Sequence, residues 1–205
     1  MTSYRTLPAP AQAEHIVKKS RFVGQAAPLR SADEAAAFVH AVKAAQGGAA
    51  HNAWAYALRD GQRRYSDDGE PQGTAGLPIL DVLQKQDIVD CAVVVTRYFG
   101  GILLGAGGLA RAYGQAAKAA ADAAGIVTMA LCAVLRVRCD YAFYGRLQKL
   151  IPAGGGVILG AEFGEGVTLE LRARREDADR LIAEIIEASN GNAACELVRE
   201  EFAGL

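Results

Sequence analysis

The sequence predicts an α+β protein of two domains, residues 1–130 and 131–205. Three observations predict it. The pattern of apolar residues changes character across residues 126–130, which read as a linker. After it, strand and helix signals follow in the order β-α-β-β-α-β over about 75 residues, the ferredoxin-like arrangement. Before it, a continuous apolar run, Cys91 to Val95, marks a strand covered on both faces, with helical patterns on either side.

Residues 1–13 contain Pro and Ala and read as a loose lead-in, and His15 to Leu29 as one bent strand or two short ones. Ser31 and Glu34 form a capping box that opens a helix running to about Ala45, closed by Gly47-Gly48. Asn52 to Leu58 alternates, with Trp54, Tyr56 and Leu58 on one face. Asp60-Gly61 turns the chain. Thr74 is the expected cap of a helix to about Gln86, with Pro78 in its first turn and Leu77, Leu80 and Leu83 on its buried side. Leu109 to Ala124 is an Ala-rich helix. In the second domain the expected elements are a strand at 131–139, a helix at 141–150, strands at 157–163 and 167–174 joined by Gly164-Glu165-Gly166, a helix at 177–188 and a strand at 195–202.

Charge excludes little. The net charge is −1, so no global field points to nucleic acid or membrane. The first 130 residues carry 13 Lys and Arg against 11 Asp and Glu, the remainder 9 against 12, a slight bias of the first domain toward anionic partners. Cys91, Cys132, Cys139 and Cys195 form no Cys-x-x-Cys pair and read as buried thiols, so no metal site and no cofactor is expected. Without a leader pattern or an apolar run of membrane-spanning length, a reducing cytoplasm is the expected compartment.

Two stretches could carry chemistry. The first, Asp67-Asp68-Gly69-Glu70-Pro71-Gln72-Gly73-Thr74, packs three carboxylates into four residues. They could hold a hard cation or share protons as acid and base beside His51; alternatively the stretch is a tight turn whose acids bond backbone. The second is Thr96-Arg97-Tyr98-Phe99-Gly100-Gly101, continuing to Gly105-Ala106-Gly107-Gly108. It matches a dinucleotide fingerprint on paper, but it follows the last strand of its unit and the expected acid beyond the next strand is missing. What survives is a small-residue turn that lets backbone N–H groups approach an anion at a helix N-terminus. Arg97 could serve phosphate or pair with Asp67 or Asp68, and Tyr98 and Phe99 could stack bases or fill the core. His51, with no second His or Cys near it, reads as a structural hydrogen-bonded residue.

Together the two stretches resemble the IMPACT family. The residues that carry the resemblance are His51-Asn52-Ala53-Trp54-Ala55-Tyr56, Ser66 to Gly76, Val93 to Gly101, Leu104 to Leu109 and Arg111-Ala112-Tyr113, within a match over roughly residues 15–125. The resemblance implies an N-terminal domain like the second domain of a small-subunit ribosomal protein and domain IV of elongation factor G, followed by a ferredoxin-like domain similar to that factor's domain V. Eukaryotic members regulate translation and carry a further partner-binding domain with no counterpart in this sequence. For bacterial members, RNA or ribosome association is the expectation the fold carries.

The leading expectation is a non-enzymatic, translation-associated protein that binds RNA, the ribosome or a protein of the translation machinery. Its anionic-ligand face would combine Arg97 and the Gly100–Gly108 turn with Lys18, Lys19 and Arg21. The signature positions are His51, Asp67, Asp68, Glu70, Thr74, Arg97, Tyr98, Gly100, Gly101, Gly105, Gly107, Gly108 and Arg111. Two alternatives stand beside it: a hydrolase-type or metal-dependent enzyme using the acidic loop, and an adaptor that binds proteins through an exposed apolar ferredoxin-like sheet.

Overall fold

The computed structural model describes residues 2–204. Met1 and Leu205, the outer ends of the two expected domains, lie outside the described residues. The chain forms two compact units, one spanning Tyr4–Thr128 and the other running from Met129 onward. Thr2 and Ser3 group with the second unit, where the Thr2 carbonyl accepts from the Leu131 N–H.

In the first unit a five-stranded sheet is ordered β2-β3-β6-β4-β5, and every neighbouring pair is antiparallel. Its strands are β2 (Ala11–Val17), β3 (Ser20–Pro28), β4 (His51–Ala57), β5 (Arg63–Ser66) and β6 (Cys91–Tyr98). Around it lie α1 (Ala32–Ala45), α2 (Gly76–Lys85) and α3 (Ala106–Ala124); the short β1 (Ser3–Thr6) pairs in the other sheet of the chain. Central β6 explains the three layers. Successive side chains of a strand point to opposite faces. Ala92 and Val94 pack with Tyr56, Trp54, Ala35, Val39 and Val42 beneath α1. Cys91, Val93 and Val95 pack with Phe22, Ala53, Ala55, Ile79 and Leu83 beneath α2 and α3. The α3 seam is alanine (Ala112, Ala116, Ala117, Ala120, Ala121), so the helix lies very close to the sheet. A Cβ on Gly24 of β3 would sit 2.5 Å from the Ala116 carbonyl oxygen.

The second unit contains β7 (Val127–Cys139), α4 (Tyr141–Ala153), β8 (Val157–Phe163), β9 (Val167–Arg174), α5 (Arg175–Ala188) and β10 (Ala194–Gly204). The strand order β10-β7-β9-β8, antiparallel throughout, is the ferredoxin-like one. Leu135, Val137, Leu169 and Leu171 bury one sheet face against Leu147, Ile151, Leu181 and Ile185 of the helices. The opposite face carries ion pairs, Arg136 with Glu170 at 3.1 Å and Arg172 with Glu201 at 3.5 Å. The strands of this sheet also expose the apolar side chains of Val157, Leu159, Phe163 and Leu197.

Several local expectations need correction. The lead-in is not loose: residues 3–6 and 11–17 are strands, and Pro8 and Pro10 merely interrupt them. The expected linker at 126–130 continues into β7 from Val127, because Val127 and Thr128 are β-branched and suit a strand. The short edge strand β5 was not expected. Leu77 is exposed rather than buried, while Ile79, Leu80 and Leu83 form the inner side of α2. α3 begins at Ala106, three residues before the expected start. Glu34 reaches back to the Arg30 N–H, while Ser31 accepts from the Glu34 N–H as the capping box requires.

Candidate functional site

The acidic stretch is a loop between β5 and α2, and each of its three carboxylates has a separate assignment. Asp67 accepts from three backbone N–H groups, Gly73 at 2.9 Å, Ala75 at 3.0 Å and Gly76 at 2.8 Å. It thereby satisfies the first free donors of α2 and places negative charge at that helix N-terminus. Thr74 is not the cap: its hydroxyl donates to the Pro71 carbonyl at 2.6 Å, and the cap residue is Ala75, which has no side chain for the task. Asp68, in a left-handed conformation at φ +48°, accepts from the Asn52 N–H at 2.7 Å and from Lys43 Nζ at 2.6 Å. His51 Nδ1 lies 2.8 Å from the Asp68 carbonyl, which can only accept, so Nδ1 carries the proton and the ring is structural.

Glu70 turns inward. Its Oε1 accepts from Arg97 Nη1 at 2.7 Å and from the Tyr113 hydroxyl at 2.7 Å, and Glu70 and Arg97 are only 8% and 6% exposed. Arg97 therefore pairs with Glu70, not with Asp67 or Asp68 as expected. Nor is it a free phosphate contact: it is buried between the rings of Phe22 and Phe99, with its Nε unpartnered. Tyr113 was missed as a site residue. The usable signal was a lone tyrosine in an alanine seam, whose hydroxyl must find a partner once buried. Burial, then the hydrogen bond to Glu70, pushes its phenol pKa up. The three carboxylates point to three places, and no cluster of three metal-ligating side chains exists among the described residues. The acid–base and cation readings of this loop thus lack the convergence they need.

The glycine-rich stretch is different. β6 runs antiparallel to both neighbours, so the segment after it is not part of a parallel dinucleotide-binding crossover. A Cβ on Gly100 would lie 2.0 Å from the Lys19 carbonyl carbon, and the Gly100 N–H donates to Ser20 Oγ at 3.1 Å. That close approach fixes the loop against the β2–β3 turn. Gly101 and Gly105 have φ of +83° and +72°, and Gly105 is the N-cap residue of α3 with no capping side chain. Gly107 is exposed in the first turn of α3 with nothing within 4 Å of an added Cβ; Gly108 is partly buried and an added Cβ would meet Leu104 at 3.1 Å. Arg111 is exposed one turn further on. Phe99 and Leu103 are 53% and 82% exposed, so Phe99 is not the core ring one expectation allowed. Tyr98 is partly buried, donates to Gln46 Oε1 at 2.6 Å and carries the Arg21 guanidinium over its ring at 4.5 Å.

The β2–β3 turn adds what sequence reading did not foresee. Val17 pairs with Ser20, leaving Lys18-Lys19 as a two-residue loop in which both residues are left-handed, at φ +46° and +64°. That is the type I′ geometry that favours Asn-Gly, and here two lysines hold it.

The thiols read as buried are so at Cys91, Cys132 and Cys139, and partly so at Cys195; all four are unpaired. No helix among the described residues is long and apolar enough to cross a membrane.

Comparisons with known proteins agree with this architecture. The family model described as the Impact N-terminal domain matches residues 18–121, and one described as a domain of unknown function matches residues 137–192. The IMPACT family member YvyE of Bacillus subtilis (strain 168) is 33% identical over 93% of this chain and 89% of its own length. The member YigZ of Escherichia coli (strain K12) is 31% identical over 94% and 96%, and one from Thermus thermophilus is 40% identical over 77% and 86%. A crystal structure titled only as that of a hypothetical protein superposes with a TM-score of 0.62 at 30% identity, covering 98% of this chain and 100% of its own. With matches of this extent across both units, the chain belongs to the IMPACT family.

Proposed function

We propose that this protein acts near translation by binding RNA, free or in the ribosome, without a chemical step of its own. The binding face is the Lys18-Lys19 turn together with the Phe99–Gly108 loop, the start of α3 and Arg111. The observation that carries the reading is the strained turn. Two consecutive lysines sit in left-handed backbone where Asn-Gly would be relaxed, and strain of this kind gathers at functional positions.

The neighbourhood supports a polyanion. The Lys18-Lys19 turn touches a loop whose exposed Phe99 offers a ring for base stacking. That loop leads into a 19-residue helix whose first turn has no side-chain cap, and free N–H groups at such a terminus favour phosphate. Gly107 has no steric reason to be glycine, and its bareness leaves those N–H groups open. Arg97 drops out of the face expected from sequence, because Glu70 neutralises it in the interior.

The test is the salt dependence of binding to a short single-stranded RNA. Each phosphate contact contributes a slope of about 0.7 in log affinity against log salt. Replacing Lys18, Lys19 and Arg111 by alanine together is expected to lower the slope by roughly 2. An affinity unchanged between low and moderate salt contradicts the proposal.

A further inference from the structure

We propose that the groove between α1 and the β4–β5 hairpin is a binding site for a nucleotide unit, with the base on Trp54 and the phosphate at Arg64 and His40. The groove lies on the α1 face of the sheet, opposite the face that holds Glu70, Arg97 and Tyr113, and the RNA face proposed above does not include it.

Its shape follows from sequence. The α1 wall is built of small side chains, Ala32, Ala35 and Ala36, so the helix leaves about 480 Å³ open along β4. That volume lies within the range of small-molecule clefts. The floor is aromatic: Trp54 and Tyr56, two residues apart on one strand face, hold their rings 2° from parallel with centroids 6.0 Å apart. Tyr56 is 5% exposed and packs beneath α1, so the half-buried Trp54 is the ring on which a heteroaromatic base can stack, an interaction indifferent to which base it is.

The rim supplies the second half of the ligand. Arg64 lies directly opposite Tyr56 in the β4–β5 register, so its side chain rises on the floor's own face. Arg64 and His40 line the groove, and neither side chain has an ion pair or a hydrogen bond among the described residues. Lys43 adds positive charge, although its ammonium is held by Asp68. Asp33 is the one acid on the rim. A guanidinium beside an apolar aromatic floor is the pairing that reads a planar base and its phosphate together. A purely apolar occupant would leave the Arg64 guanidinium unused.

Trp54 is the protein's only tryptophan, so its fluorescence reports the groove directly. The full-length protein is titrated with AMP and, separately, with a short single-stranded RNA. Saturable quenching by AMP is expected. Arg64→Ala is expected to weaken it about tenfold, the weight of one charge-assisted contact. Ala36→Leu, at an exposed helix position that tolerates leucine, is expected to fill the groove and abolish quenching while the melting temperature holds. Saturable quenching by RNA alone upholds the same base-plus-phosphate chemistry, delivered by a strand. No saturation with either probe, or titrations of both variants that match the parent, overturns the proposal. The lysine-turn substitutions separate the two readings: they are expected to leave AMP quenching unchanged even where RNA affinity is lost.

Discussion

The acidic loop and the glycine-rich loop look alike in sequence: both are dense, polar and glycine-containing, and both invite a catalytic or binding role. In the folded chain they are opposites. Every carboxylate of Asp67-Asp68-Gly69-Glu70 has a partner: Asp67 the backbone leading into α2, Asp68 the backbone of β4 and Lys43, and Glu70 the Arg97–Tyr113 pair. The Phe99–Gly108 loop keeps Phe99, Ile102 and Leu103 exposed, leads into a helix with no side-chain cap and rests on a turn that is itself strained. Density of polar residues thus marks both, and the difference lies in whether the fold has used them. The used loop should report in stability, and the unused one in binding.

The largest effect is expected where the first loop meets β6. Arg97→Met leaves Glu70 buried without its cation and should cost about 3–5 kcal/mol in urea unfolding, with Glu70→Met comparable. The double variant should cost clearly less than the two added together, because each single change strands the other's charge. A cost below about 1 kcal/mol for Arg97→Met would show that the pair is solvated and the loop only loosely held.

Alkaline pH probes the same layer. Burial, then the nearby Asp90, pushes the Cys91 thiol from 9.0 up to about 12, and the Tyr113 phenol is raised as well. The fold accommodates the neutral forms, while the unfolded chain ionises its thiol from pH 9.0 upward. Stability from this source is therefore whole below pH 9.0 and is lost as pH rises toward 12. Unfolding followed against pH should show this decline, and Cys91→Ala should blunt it; a Cys91→Ala curve with the parent's slope would remove the thiol from the account.

Asp67→Ala comes next. It strips three backbone donors of their acceptor at the start of α2 and should cost about 2 kcal/mol, with RNA affinity unchanged. A loss of RNA affinity without a loss of stability would move the acidic loop into the binding face and erase the contrast between the two loops.

What the sequence made legible follows the range of the interactions. Ser31 capping the Glu34 N–H spans three residues, and the hairpin at Gly164–Gly166 spans three; both are visible to local rules. The strand β6, apolar at every position from Cys91 to Val95, could only be a central one. The Asp67 cap acts on N–H groups up to nine residues away across a folded loop, beyond the span of an N-cap pattern, which points to Thr74 instead. The Glu70–Arg97 pair spans 27 residues, and its choice over Asp67 or Asp68 is made by the sheet, which turns Arg97 inward on the α3 side. β5 was invisible because Arg63, Arg64 and Tyr65 are exposed and no burial pattern marks them. The left-handed lysines gave no warning at all, since nothing in a Lys-Lys pair predicts a type I′ turn.

The smallest expected change in stability has the opposite sign and comes from the lysine turn itself. Replacing Lys18 by Asn and Lys19 by Gly installs the residues that the turn geometry favours. The measurement is thermal unfolding and RNA titration of this one variant beside the parent. The expected variant is stabilised by about 1 kcal/mol and binds RNA more weakly with a shallower salt slope. A variant that is more stable and binds RNA as the parent does would contradict the proposed binding face.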